Sequence, residues 1–343
     1  MRRGDTVVFG DAPAVTAWAA AGGKKESEGP LAGGFDTLFT DARLGEETWE
    51  MAERGLARSA LETALRKART GAGALDGVFA GDLQCQCTAS AYLMRGVDAP
   101  FLGLYGACST MTEALGLAAC LVSAGHMRLA AACASSHFCA AERQYRTPLN
   151  YGGKRTPTAQ WTVTGAGAML VAPGKSVPKA PRIAAVTFGR VRDFAVRDIT
   201  NMGAAMAPAA CETLLRYFAD TGEDPAAIDC VFTGDLGAVG SELLGQLLAR
   251  EGLRLGPRAD CGLLIYDRAE QDVQAGGSGA GCSACVLAAH ILPRLAAGRL
   301  RRCLVVATGA LMSQTTFLQG ESIPGIAHLI ELRAGAAQKE GSA

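Results

Sequence analysis

The chain repeats itself, and the repeat limits which folds it can adopt. Leu75–Leu83, "LDGVFAGDL", and Ile228–Leu236, "IDCVFTGDL", are identical at six of nine positions. Each is a short β-type run after a helical stretch. Further along each copy, Ala114–Ser135 ("ALGLAACLVSAGHMRLAAACAS") follows the same plan as Ala284–Gly309 ("ACVLAAHILPRLAAGRLRRCLVVATG"). An apolar helix stops at Ala-Gly, a basic residue follows, and a buried strand comes next. Two matches in the same order on the same elements imply duplication. Glycine at the helix end predicts a left-handed cap. The continuous apolar strands predict a sheet covered on both faces. The expected class is therefore α/β, with two similar halves.

The boundary is expected in Val171–Arg182, "VAPGKSVPKAPR", where three prolines interrupt helix and sheet alike. This divides the chain into residues 1–172, 180–335 and a tail at 336–343. One segment of the first half has no counterpart in the second. Phe138–Thr162 is polar, punctuated by Gly and Pro, and aromatic. It sets Arg143, Arg146, Lys154 and Arg155 against Glu142. An irregular basic stretch of this length in a compact domain is expected to carry function.

Bulk properties exclude several classes. Lys plus Arg equals Asp plus Glu, so the chain has no global basic field for nucleic acid. Asp5 and Asp11 break any secretory h-region, and His126 and Arg128 break the longest apolar run. These features predict a soluble, intracellular protein. The twelve cysteines lie mainly in apolar segments and read as small core residues. "CQC" at Cys85–Cys87 and "CSAC" at Cys282–Cys285 lack a second ligand pair, so no metal site is expected.

Cys108 stands apart. It ends the strand-like run "APFLGLYGA" and opens an apolar helix, and Thr110 with Glu113 fits a capping box. A thiol there meets unpaired N–H groups and the positive helix end. Both favour a thiolate, or alternatively a bound anion.

The duplicated halves, "ACST" leading into an apolar helix, and "TGAGAMLVA" at Thr164–Ala172 resemble the thiolase-like superfamily, which includes thiolases and ketoacyl-ACP synthases. The resemblance implies a layered αβαβα architecture with Cys108 at the nucleophile position. It also implies a His, or a His with an Asn, from the second half. Those positions fall at Gly234 and Gly277, and glycine supplies neither ring nor proton. Of the four histidines, His126 and His290 read as structural, His328 lies near the tail, and His137 is the one expected to reach Cys108.

"YGACSTMTEAL", "SSHF", "YGGKRTPTAQWTVTGAG", "DCGLLIYD" and "GGSGAGCSA" narrow the resemblance to the stage V sporulation protein AD family. That resemblance implies no cofactor and no catalysis. It implies binding of dipicolinic acid (pyridine-2,6-dicarboxylate) or its calcium chelate. The implied setting is the forespore or spore, with the protein peripheral to the inner membrane through the membrane proteins of the stage V sporulation A complex, and as a homodimer.

A flat dianion needs cationic forks, N–H donors and a flat wall. The expected ligand-binding set is Cys108, Ser136, His137, Arg146, Lys154, Arg155, Gln160 and Trp161. Tyr151 is an alternative to Trp161 for stacking. The competing readings are a cysteine-dependent acyltransferase using Cys108 and His137, and a scaffold that keeps a relic pocket.

Overall fold

The computed structural model describes residues 1–145 and 155–336. Five strands of the first half are β1 (Ala14–Gly22), β2 (Gly77–Gly81), β3 (Phe101–Gly103), β4 (Ala130–Ser136) and β5 (Gly165–Ala172). Five of the second are β6 (Arg182–Thr187), β7 (Cys230–Thr233), β8 (Arg258–Asp260), β9 (Arg302–Ala310) and β10 (Gly325–Arg333). They lie in the orders β1-β5-β4-β2-β3 and β6-β10-β9-β7-β8. In each half the first strand, the last and the one before it pair antiparallel. The remaining pairs are parallel. The topology is thus the same twice over.

The repeated nonapeptide does the same work in both copies. Asp76 accepts from the Arg128 and Leu129 N–H groups at 2.6 and 3.1 Å. Asp229 accepts from Arg301 and Arg302 at 2.6 and 3.0 Å. Each carboxylate ties the start of β2 or β7 to the start of its neighbour. The Ala-Gly stops are the caps expected: Gly125 and Gly298 have φ of 77° and 69°, which an L side chain resists.

The halves join as one hydrogen-bonded network. Ala14 of β1 pairs with Arg182 of β6, and Thr6–Val8 pairs with β6 as well. Among the described residues a single 13-stranded sheet results.

Helices complete the layers. α1 (Trp49–Lys67) packs on β1, β4 and β5; it buries Leu56, Ala57, Ala60, Leu61 and Ala64 along one helical stripe and starts from a Thr48 cap. α4 (Met202–Thr221) and α5 (Gly237–Arg250) pack on each other, and α4 covers β9 and β10. Between the two strand groups lie α2 (Thr110–Ser123) and α6 (Ala280–Val286). α2 touches strands of both halves, and α6 lies against β1, β4 and β5.

Small residues on β5 make room for this middle layer. A Cβ on Gly167 would stand 2.4 Å from the Ala284 carbonyl oxygen, and one on Gly165 would stand 2.6 Å from Cys285 Sγ. The largest apolar core surrounds this layer and draws Met111, Leu115, Val171, Phe232, Val305 and Ile330 together.

Part of the expected irregular stretch is regular. α3 (Phe138–Tyr145) is helical, and Trp161–Thr162 pairs in parallel with Gly277–Ser278. Among the described residues no helix is long and apolar enough to cross a membrane.

Candidate functional site

Cys108 sits on a turn, Ala107–Ser109, between β3 and α2. Ala107 holds φ of 51°, a left-handed conformation that an alanine disfavours. The turn presses so close to β9 that a Cβ on Gly309 would meet the Gly106 oxygen at 2.5 Å. The expected capping box does not form. Thr110 Oγ1 turns back to donate to the Ala107 oxygen at 2.7 Å, and among the described residues buried Glu113 Oε2 has no hydrogen-bond partner.

The thiol is buried, and Sγ lies 3.9 Å from Ser278 Oγ. Ser278 Oγ donates to Asp235 Oδ2 at 2.9 Å, and the Gly279 N–H donates to the same oxygen at 2.9 Å. Thr308 Oγ1 donates to Oδ1 at 3.0 Å. Burial pushes the Cys108 thiol well above its ordinary range, and the Asp235 carboxylate adds to the effect. Burial also raises Asp235, against the bonds it accepts. Of the two readings of the helix start, the thiolate is the one this environment opposes. Desolvation and a facing carboxyl outweigh the helix end.

The glycines expected at the partner positions are tightly enclosed. A Cβ on Gly234 would lie 2.9 Å from Ala307 Cα, and one on Gly277 would lie 2.9 Å from Ile265 Cγ2. The residues that follow each glycine, Asp235 and Ser278, supply the side chains at the thiol. Sequence reasoning missed both, although Asp235 closes the repeated "GD" of the nonapeptide. Behind Asp235, Asp260 accepts from Thr233 Oγ1 at 2.6 Å and from the Leu236 and Gly237 N–H groups. Burial lifts Asp260 to about 6. Gln160 Nε2 straps the two turns together, donating to the Asp235 and Gly277 oxygens at 2.7 and 2.9 Å.

The other expected ligands divide. Ser136 is fully buried; its Oγ donates to the Val163 oxygen at 2.7 Å and accepts from the Gly281 N–H. It holds strands and helix together. Arg155 donates to the Gln160 oxygen at 2.7 Å and pairs with the buried Glu142 carboxylate. His137 does not serve Cys108: Nε2 meets the Ala42 oxygen at 2.7 Å and Nδ1 accepts from the Cys139 N–H at 3.2 Å. Burial lowers its pKa, which keeps the ring neutral. His328 is buried in β10, accepts from the Gly189 N–H, and is lowered to about 4 by burial. Arg146, Tyr151 and Lys154 lie outside the described residues.

His137 and Trp161 meet instead at a cavity of about 330 Å³, together with Lys24, Lys25 and Phe138. Phe138 stacks on Trp161 with centroids 3.9 Å apart. Lys25 Nζ lies 4.4 Å from the Trp161 centroid, and Arg155 Cζ lies 4.8 Å from it. These cations reinforce the pair.

No group of three His, Cys, Asp or Glu side chains among the described residues is arranged to hold a metal. Cys282 and Cys285 are buried in α6; Cys282 faces the Gly234 oxygen and Cys285 the Ala21 oxygen.

Residues 3–333 match the family described as Stage V sporulation protein AD. The chain is 42% identical over 334 residues to stage V sporulation protein AD of Bacillus subtilis (strain 168), an alignment that covers 97% of this chain and 98% of that one. Among solved structures it resembles thiolase-like OleA of Xanthomonas campestris. A cerulenin-bound co-crystal matches with a TM-score of 0.60 and 16% identity, covering 97% of this chain and 99% of that one. A second OleA structure, also with cerulenin, matches with a TM-score of 0.60 and 14% identity, covering 95% and 98%. At such identities the likeness establishes the thiolase-like fold.

Proposed function

The chain belongs to the stage V sporulation protein AD family, and from that premise we propose that it binds dipicolinic acid, or its calcium chelate, without transforming it. The bound compound passes to and from membrane proteins of the stage V sporulation A complex, during uptake into the developing spore and release at germination. The protein acts as a peripheral component on the spore side of that exchange.

The observation that carries the non-catalytic part is the company Cys108 keeps. Nucleophilic catalysis needs a thiolate or an adjacent base. Here the thiol faces a hydroxyl and a buried carboxyl, both of which accept or share protons with their own partners. A carboxylate across from the sulfur opposes a second negative charge and opposes an oxyanion in the same place. The enclosed backbone at Gly234 and Gly277 leaves no space for a ring.

Calorimetry with the full chain tests the reading. A ligand of about 12 non-hydrogen atoms at roughly 0.3–0.6 kcal/mol per atom gives a dissociation constant from about millimolar to about ten micromolar. Heat that saturates in that window is the expected result, with no acyl adduct on Cys108 after incubation with acyl-CoA and intact-mass analysis. No binding up to several millimolar, or an adduct lost in Cys108→Ala, overturns it.

A further inference from the structure

The duplication supplies its own control for what the surface needs. Register and hydrogen bonds fix which residues correspond in the two copies. Val78 pairs with Phe101, and Val231 with Arg258. The Val78 N–H bonds to the Pro100 oxygen, and the Val231 N–H to the Pro257 oxygen. Gly125 and Gly298 are the matching helix stops. Asp76 and Asp229 each accept from the N–H groups of the third and fourth residues beyond those stops.

On that correspondence four positions gain an arginine in the second half. Phe101 becomes Arg258 and, counting back, Val97 becomes Arg254. Leu121 becomes Arg294, and His126 becomes Arg299. The Arg128 position keeps its charge as Arg301. Cations complement a helix C-terminus, yet the first copy closes its helix with Leu121 and His126 in these places. The fold itself therefore does not call for the four added guanidiniums.

The five arginines gather at one end of the second half. β7, β8 and β9 run parallel and all begin there. Arg254 and Arg258 lead into β8, and Arg299 and Arg301 lead into β9. Val231 lies between Arg258 and Leu304, so two strand spacings of about 4.8 Å separate those two residues. Arg294 lies near the end of the helical run that continues α6 to Ala296. Burial lowers the His290 pKa, and the Arg294 and Arg299 charges lower it further, so both guanidiniums stand near that ring.

Charge at this end is unbalanced. Arg294 is half-buried and the other four are exposed. Among the described residues none of the five has a carboxylate within ion-pair distance, whereas Arg128 of the first copy pairs with Asp76 at 3.5 Å. Arg294 Nε is buried and, among the described residues, has no hydrogen-bond partner. The neighbouring acids are largely engaged. Glu223 and Glu331 pair with Arg302 and Arg333. Asp229 accepts two N–H groups, and Asp224 accepts from the Ala226 N–H at 2.9 Å. Arg250 offsets Glu251 beside it at the end of α5.

We infer that this end of the second half, where β7, β8 and β9 begin, rests directly on an anionic phospholipid surface. The segments that build it carry none of the large exposed apolar side chains found among the described residues. A protein interface has an apolar core inside its polar rim. A layer of phosphate headgroups needs only positive charge spread over a face, and each arginine near such a layer adds to the attraction. Guanidinium forks also match phosphate oxygens in geometry. The contact adds to the partner-mediated membrane association proposed above and does not depend on it.

The test is sedimentation of the full chain with vesicles, without dipicolinate. Phosphatidylcholine vesicles holding about 30 mol% phosphatidylglycerol are expected to bind it at low salt, and phosphatidylcholine alone is not. Raising salt from about 50 to about 300 mM releases the protein, because the attraction is screened. Arg254→Gln/Arg258→Gln/Arg299→Gln weakens partition by about a hundredfold. Those sites hold Val97, Phe101 and His126 in the first copy, so the variant is expected to fold, and a melting scan checks it. Arg58→Gln/Arg69→Gln/Arg95→Gln removes three exposed arginines of the first half and leaves partition intact.

No binding of the wild-type chain to the anionic vesicles overturns the inference. So does an equal loss in the two triple variants, or equal binding to phosphatidylcholine alone. A polyglutamate peptide that binds with the same arginine dependence, while vesicles stay free, assigns the face to an acidic protein segment and overturns the lipid. No arm contains dipicolinate, so failure here leaves the ligand reading standing, and failure of that reading leaves this face standing.

Discussion

The Ser278 hydroxyl donates to Asp235 Oδ2 at 2.9 Å while its oxygen stands 3.9 Å from Cys108 Sγ. The sulfur therefore faces an oxygen whose proton is already committed, backed by a carboxyl that disfavours thiolate. Cys108 is expected to react with iodoacetamide at least about tenfold more slowly at pH 8 than the exposed Cys85. Peptide-resolved mass spectrometry measures both rates. Asp235→Asn removes the opposing charge and speeds Cys108; an unchanged rate in that variant shows that burial alone sets its reactivity.

Glycine at 277 is a packing requirement. A Cβ there lies 2.9 Å from Ile265 Cγ2 and 3.2 Å from Tyr266 Cε2. Gly277→Ala is expected to cost about 1–3 kcal/mol by overpacking. Urea unfolding measures it. A neutral result means that the Ile265 side chain yields freely.

Arg155 pairs with a Glu142 carboxylate that is fully enclosed. Arg155→Ala removes a charge-assisted hydrogen bond from a carboxylate that still accepts from the Thr162 N–H at 3.2 Å, and is expected to cost about 1.5–3 kcal/mol. Arg155→Lys recovers a fraction of this, because the guanidinium also reaches the Gln160 carbonyl. Denaturant midpoints of the two variants separate this stabilising role from ligand binding.

Buried Glu53, which accepts from Gln84 Nε2 at 2.7 Å and Ser135 Oγ at 3.1 Å, is raised to about 8 by burial and by Asp82. The folded state therefore holds a proton that the unfolded chain releases near its ordinary 4.5. This contribution is full below about 4.5 and is lost as pH rises through about 8. Stability is expected to fall between pH 5 and 8, and Glu53→Gln flattens that fall. Unfolding free energies at four pH values across the range check the slope.

The duplication was legible because both copies keep the residues that close their strands. Asp76 and Asp229 bond to the neighbouring strand in the same way, and Gly125 and Gly298 cap in the same conformation. The site was harder to read. Trp161 and His137 emerged as cavity residues, while Ser136, Gln160 and Arg155 proved to be engaged with backbone oxygens or with Glu142.

A polar residue next to a glycine-rich turn looks the same in sequence whether it holds a ligand or holds the turn. Lys24 and Lys25 went unnoticed because they lie more than a hundred positions from Trp161, and only the strand order brings them to it. Asp235 was hidden by its own repeat. Its twin Asp82 accepts from Ser90 inside the first half, so the shared "GD" carries two different tasks.

The pairing of Thr6–Val8 with β6 reaches across the duplication: Thr6 Oγ1 and Thr187 Oγ1 are 2.8 Å apart in space and 181 positions apart in the chain. A ribosome adding about 5–20 residues per second needs about 10–40 s to bridge that interval. The Thr6–Val8 strand therefore emerges long before its docking edge exists. Truncation ahead of β6 would remove that edge and leave the Thr6–Val8 strand exposed to pairing with another chain.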